Sequence, residues 1–328
     1  MKNFKKIKKS EVKQLLNKAL FKTFFHSLEW QDFLEEEFKW LKFEYWLYKK
    51  DEALLIFGKI GDKLISLPFC EYGGPLLFKE KVDFEEFKKD VLKEFDNIKI
   101  KIHPQILLMC EAKLHTLREL ASPISTYWIN LKDKSEKELL SSFRKTLRHS
   151  IKNSQKSGLR VEKCENTRDL KAFYNLCVAN LKRKKTVPYP FSVIKFLYNS
   201  PVSELLLFKH KEKVIAGDMF LSYGKFVHYF ISASDYKYRN LGANYLILWE
   251  KIKNLVDKDI TFDLGASPKG SALEIFKRGW RGKEYPILQL GIKRSEEGLR
   301  LSKLRNIYGL LPNFVIKKLS SYLIKYRL

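Results

Sequence analysis

The chain has 328 residues, 45% hydrophobic and 14% aromatic, and its 63 Lys+Arg against 38 Asp+Glu leave a formal charge of +25. That is apolar enough for a sizeable core and excludes a disordered basic tail, while no apolar run reaches the roughly 20 residues of a membrane-spanning helix. Cys70, Cys110, Cys164 and Cys177 have no C-x-x-C spacing, which argues against a zinc site and against a disulfide framework.

Residues 1–24 read as a basic helix or arm with no apolar signal-peptide segment, so the expected place is inside the cell with reduced thiols. Residues 25–38 read as a helix capped by Ser27, with Trp30, Phe33, Leu34 and Phe38 on one side. Three strand-like runs follow at 43–48, 53–57 and 64–67, parted by charged or glycine turns. Pro68, Gly73, Gly74 and Pro75 make 67–75 a shaped loop. A helix at 83–95 and a strand at 98–102 close the first unit.

A long helix over 135–156 opens a second unit, with helices at 167–181 and 191–199 after it. A hairpin at 204–209 and 214–223, a strand at 226–233, a helix at 243–256, a strand at 260–264, a short helix at 271–277 and a strand at 285–292 complete it. At about 150 residues per domain the length suggests two domains. They are placed at 1–133 and 134–292, with a tail at 293–328 that has no acidic residue after Gly298.

The charge calls for an anionic partner: nucleic acid, nucleotide cofactor, acidic glycan precursor or membrane surface. Lysine bias of the genome is the alternative source of part of it. Arg144, Arg148 and Lys152 recur every four residues and share one helix face, with Lys145 and Lys156 beside them. That stripe can bind phosphates of a nucleotide-linked, lipid-linked or tRNA substrate, or be a solvated helix face. Lys182–Lys185 is a second cationic cluster.

Arg239-Asn-Leu-Gly242-Ala243-Asn244 stands where a strand hands over to a helix. Helix N-termini offer unpaired N–H groups to phosphates, and Gly242 permits close approach. Asp263 ends a strand and is either a site residue or a helix cap. Asp218, Asp235 and His228 are candidate proton acceptors, His228 equally a satisfied core histidine. In the tail, Val315, Leu319, Tyr322, Leu323 and Tyr326 form an apolar stripe opposite Lys317, Lys318 and Lys325, suited either to an anionic bilayer surface or to docking on the first domain.

Residues 239–244 resemble the R/Q-x-x-G-x-G/A loop of the GNAT acyltransferases, which holds the pyrophosphate of coenzyme A, although Asn244 stands where a small residue is usual. FDLGASPKGSALEIFKRGWRG at 262–282 resembles the FDxG…G…FKxxW/FG signature of the FemAB-like acyltransferases. FHSLEW at 25–30, SLPFCEYGGP at 66–75 and ASDYKYRNLGANYLILW at 233–249 are similar to further segments of that family, with Ala233 in place of Gly and Ala243 in place of Pro. The Arg144, Arg148 and Lys152 stripe of the 135–156 helix resembles the family's basic LRxxLRxxIxKAxxSGL helix. The resemblance runs from about residue 25 to the C-terminus in the family's order.

The resemblance implies an α/β (α+β) fold of two tandem GNAT-like domains, with mixed, mostly antiparallel sheets flanked by helices. It implies N-acyl transfer from acetyl-CoA, another acyl-CoA or an aminoacyl-tRNA, without a metal, to an amine on a cell-envelope precursor. It assigns Lys277 to stabilise developing negative charge, with Asp263 beside it, and Arg239, Gly242 and Ala243 to the donor. Tyr72, Gly73, Gly74, Arg144, Arg148, Lys152 and Phe276 then face the substrate, a nucleotide- or lipid-linked glycan or peptide. The expected location is cytoplasmic, at the inner face of the plasma membrane. A basic nucleic-acid-binding module explains the charge but not the 262–282 segment, and shows no zinc, helix-turn-helix or RNP signature. An inactive acyltransferase fold serving as an envelope scaffold is the other alternative.

Overall fold

The structure, a computed structural model, describes residues 3–110, 121–156, 160–291, 308 and 310–327. In the first half, β1 (Phe4–Ile7) and α1 (Lys9–Lys18) precede α2 (Leu28–Glu37), then β2 (Lys42–Tyr48), β3 (Ala53–Ile60) and β4 (Lys63–Ser66). The two-residue β5 (Leu76–Leu77), α3 (Phe84–Glu94), β6 (Ile98–Ile102), α4 (Pro104–Met109) and β7 (Ala121–Asn130) follow. The second half has α5 (Glu136–Ser142), α6 (Lys145–Lys156), β8 (Val161–Lys163), α7 (Thr167–Arg183), α8 (Phe191–Asn199), β9 (Ser203–His210), β10 (Lys213–Tyr223) and β11 (Phe226–Ser234). It ends with α9 (Ala243–Lys253), β12 (Thr261–Asp263), β13 (Ser267–Pro268), α10 (Ala272–Gly279), β14 (Lys283–Gly291) and the tail helix α11 (Asn313–Leu323). None of the described helices is long and apolar enough to cross a membrane.

Local chemistry accounts for most boundaries. Ser27 accepts from the Trp30 N–H, Asp83 from Glu85 and Glu86, Asn166 from Asp169 and Ser271 from Glu274, each satisfying orphan donors of a first helical turn. β6, Ile-Lys-Ile-Lys-Ile, buries its three isoleucines and leaves the lysines half-buried, the period-two pattern of a strand.

The expected helix over 135–156 is instead two helices. Phe143 takes an extended conformation (ψ 156°) so that its buried ring can pack edge-on against Trp249 and Trp280. The Arg144 N–H then donates to the Gly279 carbonyl at 3.0 Å. Residues 1–24 also differ from a single helix or arm: Phe4–Ile7 pairs as a strand with β2 before α1 begins.

The main sheet runs β1-β2-β3-β4-β6-β14-β7-β12-β11-β10-β9-β8. Among the described strands only β4–β6 and β11–β12 pair in parallel. This order exposes an internal repeat of topology. Each half has an antiparallel run of strands (β1–β4, and β8–β11), then a helix, then a strand parallel to the last of them (β6, and β12). The repeat's final strands are exchanged: β14 pairs with β6, β7 pairs with β12, and β14 and β7 pair with each other at the centre.

One face of the sheet carries α1, α2, α7, α8 and α11 over a core drawn from both halves, where Phe33 of α2 stacks on Phe196 of α8 at 4.1 Å. The other face is divided, with α3 and α4 over the first half and α5, α6 and α9 over the second. α11 packs on α7 through buried Ile316 and Ser320, so its seat is on the second half and not on the first domain. Residues 292–307 of the tail, with Arg300, Lys303 and Arg305, lie outside the described residues.

Candidate functional site

β11 and β12 are paired only from Phe226↔Thr261 to His228↔Asp263. β12 stops there while β11 continues to Ser234, so the sheet opens into a fork. The Asp263 carboxylate at that fork accepts from the Tyr72 hydroxyl, the Thr126 hydroxyl and, at 2.9 Å, the Gly265 N–H. Tyr72 comes from the first half, Thr126 from β7 and Gly265 from the turn after β12, so one carboxylate ties three segments together. Gly265 has φ +75°, and a Cβ there would lie 2.8 Å from a Glu71 oxygen and 2.9 Å from the Tyr229 carbonyl. Only glycine fits.

Glu71 is the second carboxylate. Its Oε2 accepts from the Ala266 N–H at 2.7 Å and lies 3.1 Å from His228 Nε2. Lys277, on α10, is 3% exposed and donates to the Ala266 carbonyl at 2.8 Å. That bond uses one of the three protons of the ammonium. Burial lowers the Lys277 pKa to about 8 although Glu71 and Asp263 both favour its charge. Burial pushes Glu71 up, but the hydrogen bond from His228 and the charge of Lys277 outweigh it and hold the carboxyl below its ordinary value. An ionised Glu71 can only accept, which puts a His228 proton on Nε2, while Nδ1 is buried with no partner among the described residues.

The loop that delivers Glu71 and Tyr72 is held in a costly shape. Leu67 (φ 47°) and Phe69 (φ 71°) are both left-handed although bulky, a state that persists only where surroundings enforce it. Here the Phe69 ring stacks on Phe38, the Tyr189 hydroxyl donates to the Phe69 carbonyl at 3.0 Å, and the Cys70 thiol donates to the Leu67 carbonyl at 2.7 Å. Burial raises the Cys70 thiol to about 12, so it stays protonated. The backbone of Gly73 and Gly74 is bonded to β6, to the start of α4 and to His26. The Gly73 N–H donates to the Lys101 carbonyl at 2.9 Å, and its carbonyl accepts from the His103 N–H. The Gly74 carbonyl faces His26. Both glycines lash the loop to β6 and α2's entry.

The residues expected at the donor lie in the turn before α9 and at its first residue. Gly242, φ +65°, caps α9. The Ser154 hydroxyl of α6 donates to the Leu241 carbonyl at 2.7 Å, which brings the basic helix against this loop. Arg239 lies over the Tyr236 ring at 4.3 Å and Arg183 over the same ring at 4.5 Å, so the Lys182–Lys185 cluster also reaches it. Asn244 turns onto Asp218 (3.0 Å) and Ser232 (2.8 Å), leaving the loop backbone to Gly242 and Ala243. Burial raises the Asp218 carboxyl to about 7. Arg144 and Arg148 are half-buried and Lys152 exposed, and Arg148 donates to the Ser141 carbonyl. Phe276 packs between Tyr245 and Trp280, joining α9 to α10.

Sequence reasoning singled out Lys277, Asp263 and Tyr72, which the structure brings together, but missed Glu71 and Thr126. The available signal for Glu71 was a lone acid in an otherwise apolar and glycine-rich loop. No group of three or more His, Cys, Asp or Glu among the described residues is placed to hold a metal ion.

Residues 141–278 match the family described as an acetyltransferase (GNAT) domain. The fold is similar to the crystal structure of FemX, with 14% identity, TM-score 0.59, and coverage of 90% of this chain and 99% of that one. It is also similar to L-PGS from Bacillus licheniformis, with 14% identity, TM-score 0.54, and coverage of 94% and 99%. A conserved protein of unknown function from Bacteroides thetaiotaomicron shows 12% identity, TM-score 0.54, and coverage of 87% and 97%. A search of the curated proteins finds no match. Residues 141–278 are thus similar to a GNAT-type acetyltransferase domain, and 90% of the chain shares its fold with FemX.

Proposed function

We propose that the chain is an N-acyltransferase that moves an acyl or aminoacyl group onto an amine of a glycan- or lipid-linked cell-envelope precursor, at the inner face of the membrane. The observation that carries this is the fork itself: a buried ammonium, Lys277, and an ionised carboxylate, Glu71, share the Ala266 peptide unit beside a parting pair of parallel strands. In acyl transfer the amine nitrogen bonds to the acyl carbon, the carbonyl oxygen gains charge, and the bond to the thiol or ribose oxygen breaks. Lys277 is suited to stabilise that oxygen. Glu71 and His228 are suited to take the proton the amine loses, and the leaving group takes up a proton in turn. Asp263, with three donors, positions Tyr72 and the Gly265 turn.

The donor we favour is an acyl-CoA, because Gly242 and the first turn of α9 form a helix N-terminus fit for a pyrophosphate, with Arg239 beside it. Aminoacyl-tRNA is a second reading, favoured by the basic α6 packed along the same loop. Thermal-shift titration separates them. Stabilisation by acetyl-CoA and not by aminoacyl-tRNA supports the first, the reverse supports the second, and neither response sinks the donor assignment. On an identified amine acceptor, Glu71→Gln is expected to lower kcat by about a hundredfold or more with KM for the donor little changed. Unaltered kcat removes Glu71 from the mechanism.

A further inference from the structure

α11 buries Ile316 and Ser320, and the helical turn that continues it (Ile324–Tyr326) buries Ile324. At 3.6 residues per turn the opposite side of the helix carries Phe314, Lys318 and Tyr322, with Leu319 on its shoulder, and the turn after it adds half-buried Lys325 and exposed Tyr326. This is not the stripe expected from sequence, since Leu323 turns partly inward and Phe314 outward. Phe314 is 65% exposed, Tyr322 57%, and Leu310 just before the helix 85%. A solvated helix back normally carries charges of both signs. This one carries large apolar groups and lysines, with no carboxylate anywhere after Gly298. Lys325 sits 4.0 Å from the Tyr322 ring centroid and 5.0 Å from that of Tyr326, its charge held among the aromatic rings.

We propose that this outer face of α11 docks on an anionic phospholipid surface, with Leu310, Phe314 and Tyr322 entering the head-group boundary and Lys318 and Lys325 meeting lipid phosphates. A second copy fits less well, because a two-fold contact would set the same lysines against one another. Nucleic acid fits less well too, since two outward lysines neutralise few phosphates. The docked face is also tied to the fork. Arg327, just past the helix, donates to the Val187 carbonyl at 2.9 Å and lies over the Tyr189 ring. The Tyr189 hydroxyl holds the Phe69 carbonyl of the Glu71 loop. Lipid docking would therefore present the fork to a membrane-borne acceptor.

The full-length protein should co-sediment with vesicles of phosphatidylglycerol and phosphatidylcholine and not with phosphatidylcholine alone. Phe314→Glu with Tyr322→Glu should weaken that binding by about tenfold or more. Lys318→Glu with Lys325→Glu should do the same and abolish the salt dependence. None of the four side chains is buried, so the midpoint of thermal unfolding should not move. Failure to bind the anionic vesicles, binding as tight as wild type by either double variant, or a wild-type dimer that the Phe314 and Tyr322 changes convert to monomer would each overturn the proposal. So would competition by RNA at an affinity exceeding that for vesicles. Vesicle binding is read without any acyl donor, so its failure is separate from failure of the transfer reaction.

Discussion

Two buried ionisable groups, shifted in opposite directions, both make the protein sensitive to rising pH. Lys277 has a pKa lowered to about 8, so its ammonium is present at pH 7 and titrates away as the pH rises through 8. If that charge stabilises the transition-state oxygen, kcat should fall above pH 8, and Lys277→Met should lower kcat by about a hundred- to a thousandfold and remove that limb. A variant profile that keeps the alkaline limb would assign it to another group. Asp218 has a carboxyl raised to about 7 while the unfolded chain titrates near 4. The folded state therefore binds the extra proton across that window, and stability falls as pH rises through it. Asp218→Asn removes the cost of the buried charge while its oxygen can still accept from Asn244 and Tyr229. In urea unfolding its stability relative to wild type should rise by roughly 2 to 3 kcal/mol between pH 5 and pH 8. Equal differences at the two pH values would mean that Asp218 does not titrate there.

Elements whose chemistry is local were legible in the sequence, and those set by distant partners were not. The caps at Ser27 and Ser271, the alternating β6 and the glycine loop before α9 all follow from neighbours in the chain. β7 was not recognised because it reads Ala-Ser-Pro-Ile-Ser-Thr-Tyr-Trp-Ile-Asn, polar where a central strand should be apolar. Its buried Ser125 and Thr126 are satisfied by Glu284 and Asp263, which are 159 and 137 residues away. Glu71 was missed for the same reason, since His228 is 157 residues on. The loop before α9 can be tested against a matched control. Gly242 (φ +65°) and Gly224 (φ +53°) are both left-handed, and a Cβ meets nothing nearer than 3.6 Å at the first and nothing within 4 Å at the second. Gly242→Ala and Gly224→Ala should each cost about 1 kcal/mol in urea unfolding. Only Gly242→Ala should weaken acetyl-CoA binding, and equal donor affinities would free that loop from the donor.

At the scale of the whole molecule, the exchanged strands decide how the halves depend on each other. The repeat would close each half on itself if β7 followed β6 in the sheet and β14 followed β12. Instead β7 leaves the first half to pair with β12 and β14, and β14 returns to pair with β6. A cut between residues 133 and 134 therefore separates chain segments but not sheet units. A fragment of residues 1–133 would carry β7 with no partner and β6 with one bare edge, and residues 134–328 would leave β12 and β14 unpaired on the facing sides. Bare edges of this kind favour aggregation. The fork would also be dismantled, because Glu71, Tyr72 and Thr126 would be on one fragment and Asp263, His228 and Lys277 on the other. Expressed singly, both fragments should be insoluble or unfolded by circular dichroism. Expressed together, they should co-purify as one complex that unfolds in a single transition, as the full chain should. Two separable transitions in the full chain, or a soluble folded fragment of residues 1–133, would show that each half closes without the other. The seam would then be a docking contact, and the exchange of strands would not be what holds the two carboxylates and the lysine together.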